Sequence, residues 1–438
     1  MNNPRKIFES RVDEITYTID QKKALLLLDR FLISPDMFFL LSGNAGTGKT
    51  TLAENIATYC NADVLAPTNA ALKRLKNKFM SDTIDSSRFS TLHSILYGAP
   101  NPYTGVFEKT KTLKKNKIYV VDEASMIDAK LFEDLIKDAI REKARLVFIG
   151  DDFQLEPVGK DPMIFTWEKI SNLFNPNWKI KLNEVVRNEG NILDVATHLR
   201  NNQGVQILNI EADDFKIKQI FSTDLVTDIQ DNNDFVVIVS TNLTRMRYNN
   251  QIRRVKFEED SGEVIADGEK LISVSNQQFL NGEFYTITHP RILQSWEERI
   301  NTGYMNKPIY STYKMYFISH GIEGMMGTFT TLLLPQLDKP SIHPSMLMSN
   351  STLGDSKLLT KGNSSGLKKK WLNTVNIATY GYATSAHKSQ GSEWDNVYID
   401  CDWLSDSWNK ARWMYTAITR AKKKIELKNS NQFQIINK

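Results

Sequence analysis

Phe38-Phe39-Leu40-Leu41-Ser42-Gly43-Asn44-Ala45-Gly46-Thr47-Gly48-Lys49-Thr50-Thr51 is the stretch whose reading decides the fold. An apolar run with strand character ends in Gly43, a glycine-rich loop passes through Gly48-Lys49-Thr50, and Leu52-Ala53-Glu54-Asn55-Ile56-Ala57 continues at helical spacing. Strand, loop and helix in that order make a phosphate grip. Small residues let successive N–H groups curl around a phosphate, and the helix N-terminus adds partial positive charge. Lys49 then reaches the terminal phosphates, and the Thr50 hydroxyl is left to hold Mg²⁺.

Working outward, Ile118-Tyr119-Val120-Val121 reads as a buried strand that ends in two adjacent carboxylates, Asp122 and Glu123. In a phosphate-loop enzyme the first holds Mg²⁺ through water and the second takes a proton from the attacking water. Arg145-Leu146-Val147-Phe148-Ile149-Gly150-Asp151 is another buried strand, followed by Gln154, which is placed to sense the γ-phosphate. Ala62 to Ala66 is a further strand, stopped by Pro67-Thr68-Asn69 at the start of a helix whose Leu72, Leu75 and Phe79 face inward while Lys73, Arg74, Lys76 and Lys78 face water. Upstream, Thr18 to Leu25 looks like a capped helix start, and Gln21 there is either an adenine reader or a solvated first-turn residue. Polar residues collected at the ends of apolar strands, with helices between, describe a parallel sheet whose ligand sits at the strand C-terminal ends.

The 438 residues are too many for one core, so two or three domains are expected. A net charge of +4 means that any polyanion is held by local basic clusters and not by a global field. Cys60 and Cys401 have neither metal-ligand spacing nor the pattern of a disulfide framework, so a reducing, intracellular setting is expected. Met1 to Lys6 lead into charged sequence without an apolar signal core, and the apolar runs are too short to span a bilayer, so a soluble protein is expected.

A second α/β unit starts near Asp234-Phe235-Val236-Val237-Ile238-Val239 and resumes at about Asn376. Between them, residues 262 to 372 turn to period-2 strands and Gly/Ser/Lys-rich stretches, an inserted, mostly β subdomain. In the first unit a turn-rich insertion at Tyr97 to Phe107 reads as a hairpin or a protruding loop. The expected division is 1–200 for the first domain with its hairpin at about 96–116, 201–261 and 373–438 for the second, and 262–372 for the insertion. Trp394 is expected in the core.

With these residues in view the chain resembles superfamily 1 helicases of the 5′→3′ branch, in the phage Dda-like group related to RecD. The resemblance runs from Gln21 through 43 to 50, 66 to 71, 91 to 93, 122 to 125, 150 to 158, 183 to 187 and 384 to 391 to Tyr-Thr-Ala-Ile-Thr-Arg-Ala at 415 to 421. It implies two RecA-like domains of the P-loop NTPase type, with a hairpin insertion in the first and a small β-barrel in the second. It implies an ATP- and Mg²⁺-dependent helicase moving 5′→3′ on single-stranded DNA. The same motifs would serve a translocase that displaces bound proteins. Gln21, Gly43, Asn44, Ala45, Gly46, Thr47, Gly48, Lys49, Thr50, Thr51, Gly391 and Glu393 are then the nucleotide site, with Thr50 and Asp122 at the metal. Glu123 is the base, Gln154 the γ-phosphate sensor, and Arg187 and Arg420 the arginine fingers. Pro67, Thr68, Asn69, His93, Thr384, His387 and Lys388 would contact the strand, and Tyr103 and Phe107 of the hairpin would split the first base pair, with Lys109, Lys111, Lys114, Lys115 and Lys117 attracting phosphate. A single chain acting in the cytoplasm, alongside replication or recombination proteins, is expected from the same likeness.

Overall fold

The computed structural model describes residues 7–9, 17–79, 84–97, 109–156, 175–184, 190–202, 206–210, 212–219, 221, 223–231, 233–257, 264–274, 282–301, 310–333, 376–404, 407–428 and 432–437. The chain divides into two compact units. The first comprises Met1–Val205, Gln390–Ser392 and Asp406–Thr419; the second comprises Gln206–Ser389, Glu393–Ser405 and Arg420–Lys438.

In the first unit, β1 (Phe38–Gly43), β2 (Asp63–Ala66), β3 (Phe89–Thr91), β4 (Ile118–Val121), β5 (Arg145–Gly150) and β6 (Lys179–Leu182) form one sheet in the order β3-β2-β4-β5-β1-β6. Every pairing is parallel. Alternation along the strands explains why they read as unbroken apolar runs. Phe39, Leu41, Val64, Val120, Val147 and Ile149 join a core with the helices Ile19–Ile33, Lys49–Tyr59 and Asn69–Lys78. Leu40, Leu65, Tyr119, Val121, Leu146 and Phe148 face the opposite core, which takes in Leu92, Leu131 and Leu135. Both faces are covered, so both sets of side chains must be apolar. Because β1, β2, β4 and β5 run the same way, the loops that leave them all emerge at one edge.

In the second unit the strands are β7 (Gln206–Asn209), β8 (Phe215–Lys218), β9 (Phe235–Val239), β10 (Lys270–Ser273), β11 (Phe284–Asn301), β12 (Tyr310–Ile322), β13 (Met325–Leu333), β14 (Asn376–Tyr380), β15 (Ala383–Ser385), β16 (Trp394–Asp400), β17 (Ala421–Lys428) and β18 (Gln434–Asn437). The order β15-β9-β16-β17-β8 makes a second all-parallel sheet, β10 to β14 close into a barrel, and β18 pairs with β7. The architecture is therefore α/β with two parallel sheets and a small barrel inserted in the second unit, the fold class that the motif order implied. Trp394 is a core residue, 4% exposed, with its ring edge-on to Phe284 at 5.3 Å. Among the described residues, no helix is long and apolar enough to cross a membrane.

The barrel is tied to the helix Asn242–Phe257 by a buried ion pair. Arg253 Nε donates to both carboxylate oxygens of Glu269, at 3.0 and 2.9 Å, and its guanidinium lies 4.2 Å from the Tyr380 ring centre. Burial pushes the Glu269 carboxyl up to about 6, although Arg253 pulls it down. Removing one member of a buried pair leaves the other uncompensated, so Glu269→Ala is expected to destabilise the protein by about 3–5 kcal/mol. Chemical denaturation of the full chain measures this. Replacing Arg253 by Met as well should recover much of the loss, and an unchanged midpoint in Glu269→Ala would show that the pair carries no stability.

Candidate active site

The phosphate loop bends through Gly46 and Gly48, both at φ +78°, a region that side chains enter only at a cost. Gly48 is the N-cap of the helix Lys49–Tyr59 and provides no side-chain cap, so the start of that helix is left to a ligand. Lys49 Nζ donates to the carbonyl oxygens of Gly43 at 2.8 Å and Asn44 at 2.7 Å. Burial lowers the pKa of its ammonium, and Asp151, Glu123 and Asp122 act against that shift. Gln21 is buried and not a solvated first-turn residue. Its Nε2 donates to the Thr47 carbonyl at 3.0 Å, and its Oε1 accepts from Thr18 N at 3.1 Å in a capping box.

Asp122 and Glu123 leave the end of β4, next to β5 in the sheet. Asp122 Oδ1 accepts from Glu123 N at 2.8 Å, while its buried Oδ2 has no hydrogen-bond partner among the described residues. Burial, and then the charge of Glu123, push the Asp122 carboxyl up to about 6, with Arg74 and Lys49 pulling it down. Glu123 stands at φ +50° and ψ +39°, a left-handed conformation that costs a side-chain-bearing residue about 1–2 kcal/mol. That turn takes Glu123 out of strand alternation and lets its carboxylate meet Arg74, whose Nη2 donates to Glu123 Oε1. Here the structure corrects the sequence. Lys73 and Lys76 are exposed and Leu72, Leu75 and Phe79 are buried as the helical pattern required, but Arg74 does not face water.

Asp151, at the end of β5, is fully buried and is the hub of the site. Its Oδ1 pairs with Arg200 Nη1 at 2.6 Å, and its Oδ2 accepts from the Tyr415 hydroxyl at 2.6 Å. Burial opposes its charge, but Lys49 and Arg200 more than offset this and hold the carboxyl below the ordinary range. The same Tyr415 oxygen accepts from Ala45 N in the phosphate loop at 3.1 Å. The segment after Asp151 is strapped from several sides. Arg412 Nη1 donates to the carbonyls of Asp152 at 2.8 Å and Gln154 at 3.0 Å, Thr416 Oγ1 accepts from Leu155 N at 2.9 Å, and Gln390 Nε2 donates to the Leu155 carbonyl at 2.8 Å. Gln154 is held there with its side-chain oxygen buried and unpartnered among the described residues. Sequence reasoning gave no role to Arg74, Arg200, Gln390, Arg412, Tyr415 or Thr416. For Tyr415, Thr416 and Gln390 a signal existed, since each lies inside a motif stretch.

Thr68 caps the helix Asn69–Lys78, accepting from Ala71 N at 3.2 Å. Gly391, at φ +81°, lies so close to this helix start that a Cβ on it would be 2.9 Å from Ala71 N. His93 sits in the short helix Leu92–Leu96, and burial lowers its pKa. In the second unit Thr384 is buried with a hydroxyl unpartnered among the described residues, the pKa of His387 is lowered by burial, and that of Lys388 is lowered to about 8 by burial and then by Arg245. Arg420 is 3% exposed in that unit, its carbonyl accepting from Trp394 N at 2.9 Å. The expected hairpin insertion at 97 to 107 lies, beyond Tyr97, outside the described residues; of the lysines that follow it, Lys109 pairs with Asp138, and Lys114 and Lys117 pair with Asp63. Arg187, Tyr103 and Phe107 lie outside the described residues. Among those described, no group of three or more His, Cys, Asp or Glu could hold a metal ion.

The AAA domain family matches residues 16–220, and the UvrD-like helicase C-terminal domain family matches residues 380–427. The ATP-dependent DNA helicase dda of Enterobacteria phage T4 is 30% identical over 305 residues, which cover 62% of this chain and 67% of that protein. The RecBCD enzyme subunit RecD of Buchnera aphidicola subsp. Schizaphis graminum is 23% identical, over 95% of this chain and 73% of that protein. A solved structure of Pif1 helicases, concerned with DNA unwinding at forked double-stranded DNA, shares the fold with a TM-score of 0.51 at 15% identity, over 97% of this chain and 95% of that one. On the identity and coverage of the T4 protein, joined to the order of motifs and the two parallel sheets, the chain belongs to the Dda- and RecD-like group of superfamily 1 DNA helicases.

Proposed function

We propose that this protein uses ATP and Mg²⁺ to move 5′→3′ along single-stranded DNA and to separate the duplex ahead of it. The observation that carries the reading is a pair of buried oxygens without partners among the described residues, Asp122 Oδ2 and Gln154 Oε1, following the sheet neighbours β4 and β5 at the edge that holds the phosphate loop. Oxygen donors of this kind fit Mg²⁺, which keeps several waters and binds one or two protein groups together with substrate phosphate. Asp122 and the Thr50 hydroxyl would hold the ion, which lends positive charge to the phosphates. Lys49 and the loop from Gly43 to Thr51 would bind the phosphates, with Gln21 at the base and Gly391 and Glu393 completing the nucleotide site.

Glu123 would orient the attacking water and accept its proton. Gln154 would report the state of the γ-phosphate through the segment that Arg412, Thr416 and Gln390 restrain. Arg187 and Arg420 would meet the charge that spreads over the γ-phosphoryl oxygens in the transition state. Lys49 and Arg420 belong to different units, so hydrolysis is proposed to require closure of one on the other. Strand contacts would come from Pro67, Thr68, Asn69 and His93 of the first unit and Thr384, His387 and Lys388 of the second. The likeness to the T4 DNA helicase supports DNA as the polymer.

Lys49→Ala is expected to lower ATP turnover by about 10²–10³-fold, since it removes a charge aimed at the phosphates. Glu123→Gln should lower turnover by about 10²–10⁴-fold while ATP still binds, because shape is kept and the proton acceptor is lost. Steady-state ATPase and titration of a fluorescent ATP analogue measure both. Loss of nucleotide affinity in Glu123→Gln would remove it from the role of base.

For Arg420→Ala, kcat is expected to fall by about 10³-fold or more, with nucleotide affinity changed only a few-fold, the signature of a contact made in the transition state. Affinity that collapses as far as turnover would make Arg420 a structural anchor instead.

Direction is tested with duplexes that carry a 5′ or a 3′ single-stranded tail. Unwinding is expected from the 5′ tail alone. Unwinding from the 3′ tail would reverse the assignment, and DNA-stimulated ATPase without unwinding of either would favour a translocase that displaces proteins.

A further inference from the structure

The contact between Arg74 and Glu123 has no part in the site as assembled above. Glu123 is the residue that must accept a proton from water, yet its Oε1 is already occupied by a guanidinium, in a pair whose side chains are only 15% and 6% exposed. A carboxylate paired in this way has one oxygen engaged by the guanidinium and is held toward Arg74 instead of turning freely to a water. Arg74 is carried by the helix Asn69–Lys78, whose N-cap is Thr68. Of the proposed strand contacts, Asn69 is thus the first residue of the same helix, Thr68 its cap, and Pro67 the residue before the cap. At ~1.5 Å per residue, Arg74 lies about 9 Å along the axis from Thr68.

We propose that Arg74 is a positioning residue that links occupancy of the strand site to the readiness of Glu123. In the arrangement seen here the guanidinium holds the base and hydrolysis is slow. A strand bound at the helix start shifts the helix, the pair opens, and Glu123 turns to the attacking water. Two features of the helix suit it to this. Its inward face packs through the buried Leu72 and Leu75, and the Gly391 backbone lies close against its first turn. Glu123 has a conformation of its own to release, since it is held left-handed with its N–H on Asp122 Oδ1. A contact whose geometry must change by only about 1 Å to lose its hydrogen bond is sensitive to small helix displacements.

This inference rests on the reading of the protein as a DNA-dependent ATPase, and the test separates the two. ATP turnover of the full chain is measured with and without saturating oligothymidylate, for the natural protein, Arg74→Ala and Arg74→Lys. Arg74→Ala is expected to raise strand-free turnover about tenfold, from loss of one charge-assisted hydrogen bond. Strand-saturated turnover should stay within about twofold and KM for ATP should be unchanged, so that stimulation by DNA collapses. Arg74→Lys, which keeps the charge and loses the planar fork, should fall between. If Arg74→Ala loses nucleotide affinity through misfolding, the same ratio in Arg74→Lys decides. Equal loss of turnover with and without DNA, or an unchanged stimulation ratio, overturns the role given to Arg74. A natural protein whose ATPase ignores DNA would instead overturn the function proposed above, and this role with it.

Discussion

The carboxylate of Asp151 is the constraint on which the first unit's site depends. It is fully buried, and a buried charge is tolerated only when it is paired and hydrogen-bonded on every side. Arg200 supplies the pair, Tyr415 donates to one oxygen, Phe153 N donates to the other at 3.1 Å, and Lys49 adds its field. Each of these groups comes from a different stretch of chain. The one charge therefore fixes the loop after β5, the helix Asn191–Asn202, the helix Ser407–Ile418 and, through the Tyr415 hydroxyl on Ala45 N, the phosphate loop. A change in any one of them alters the solvation of the same carboxylate, and so is felt by the others without a conformational relay.

The second physical theme is strain placed where a side chain must be turned. Strand geometry sends consecutive side chains to opposite faces, so Asp122 and Glu123 could not both reach the edge of the sheet in an extended backbone. The left-handed turn at Glu123 removes that restriction, at a cost of about 1–2 kcal/mol that the surrounding packing must absorb. Parallel strands whose alternate residues fill two separate cores supply a rigid mount for it, since neither face of the sheet can yield without opening an apolar cluster.

How much of this was legible beforehand follows from where the information sits. The phosphate loop, the carboxylate pair and the α/β character are local, written in spacing and in unbroken apolar strands that a sheet covered on both faces demands. From the residues alone the barrel showed only as a change to period-2 strands, because closure of β10 to β14 depends on pairings distant in sequence; its closure was an expectation from the family likeness. Arg74 was hidden among lysines on a helix where every cation looked solvated. Arg200 resembles a favourable last-turn cation of its helix and discloses its partner only in three dimensions. The grouping of Ser407–Ile418 with the first unit, although strands of the second flank it in sequence, is likewise a tertiary fact that no periodicity reports. For Arg74 and Arg200, what remained illegible is the choice of partner by a long side chain.

Charge balance gives the last step. Around the phosphate loop of the first unit stand the acidic Asp122, Glu123, Asp151, Asp152 and Glu156, matched by Lys49, Arg74, Lys181, Arg200 and Arg412. Five formal negative charges against five positive leave these protein groups neutral before nucleotide enters. ATP with one Mg²⁺ brings a net charge of about −2, carried mostly on the phosphates. A low-dielectric site cannot take that charge uncompensated, and hydrolysis spreads it further over the γ-phosphoryl oxygens. Two more cations are needed, and the proposed arginine fingers Arg187 and Arg420 are equal to that number. The paired cluster is thus balanced for the empty state, and full compensation for the transition state is proposed to depend on cations that the cluster does not contain.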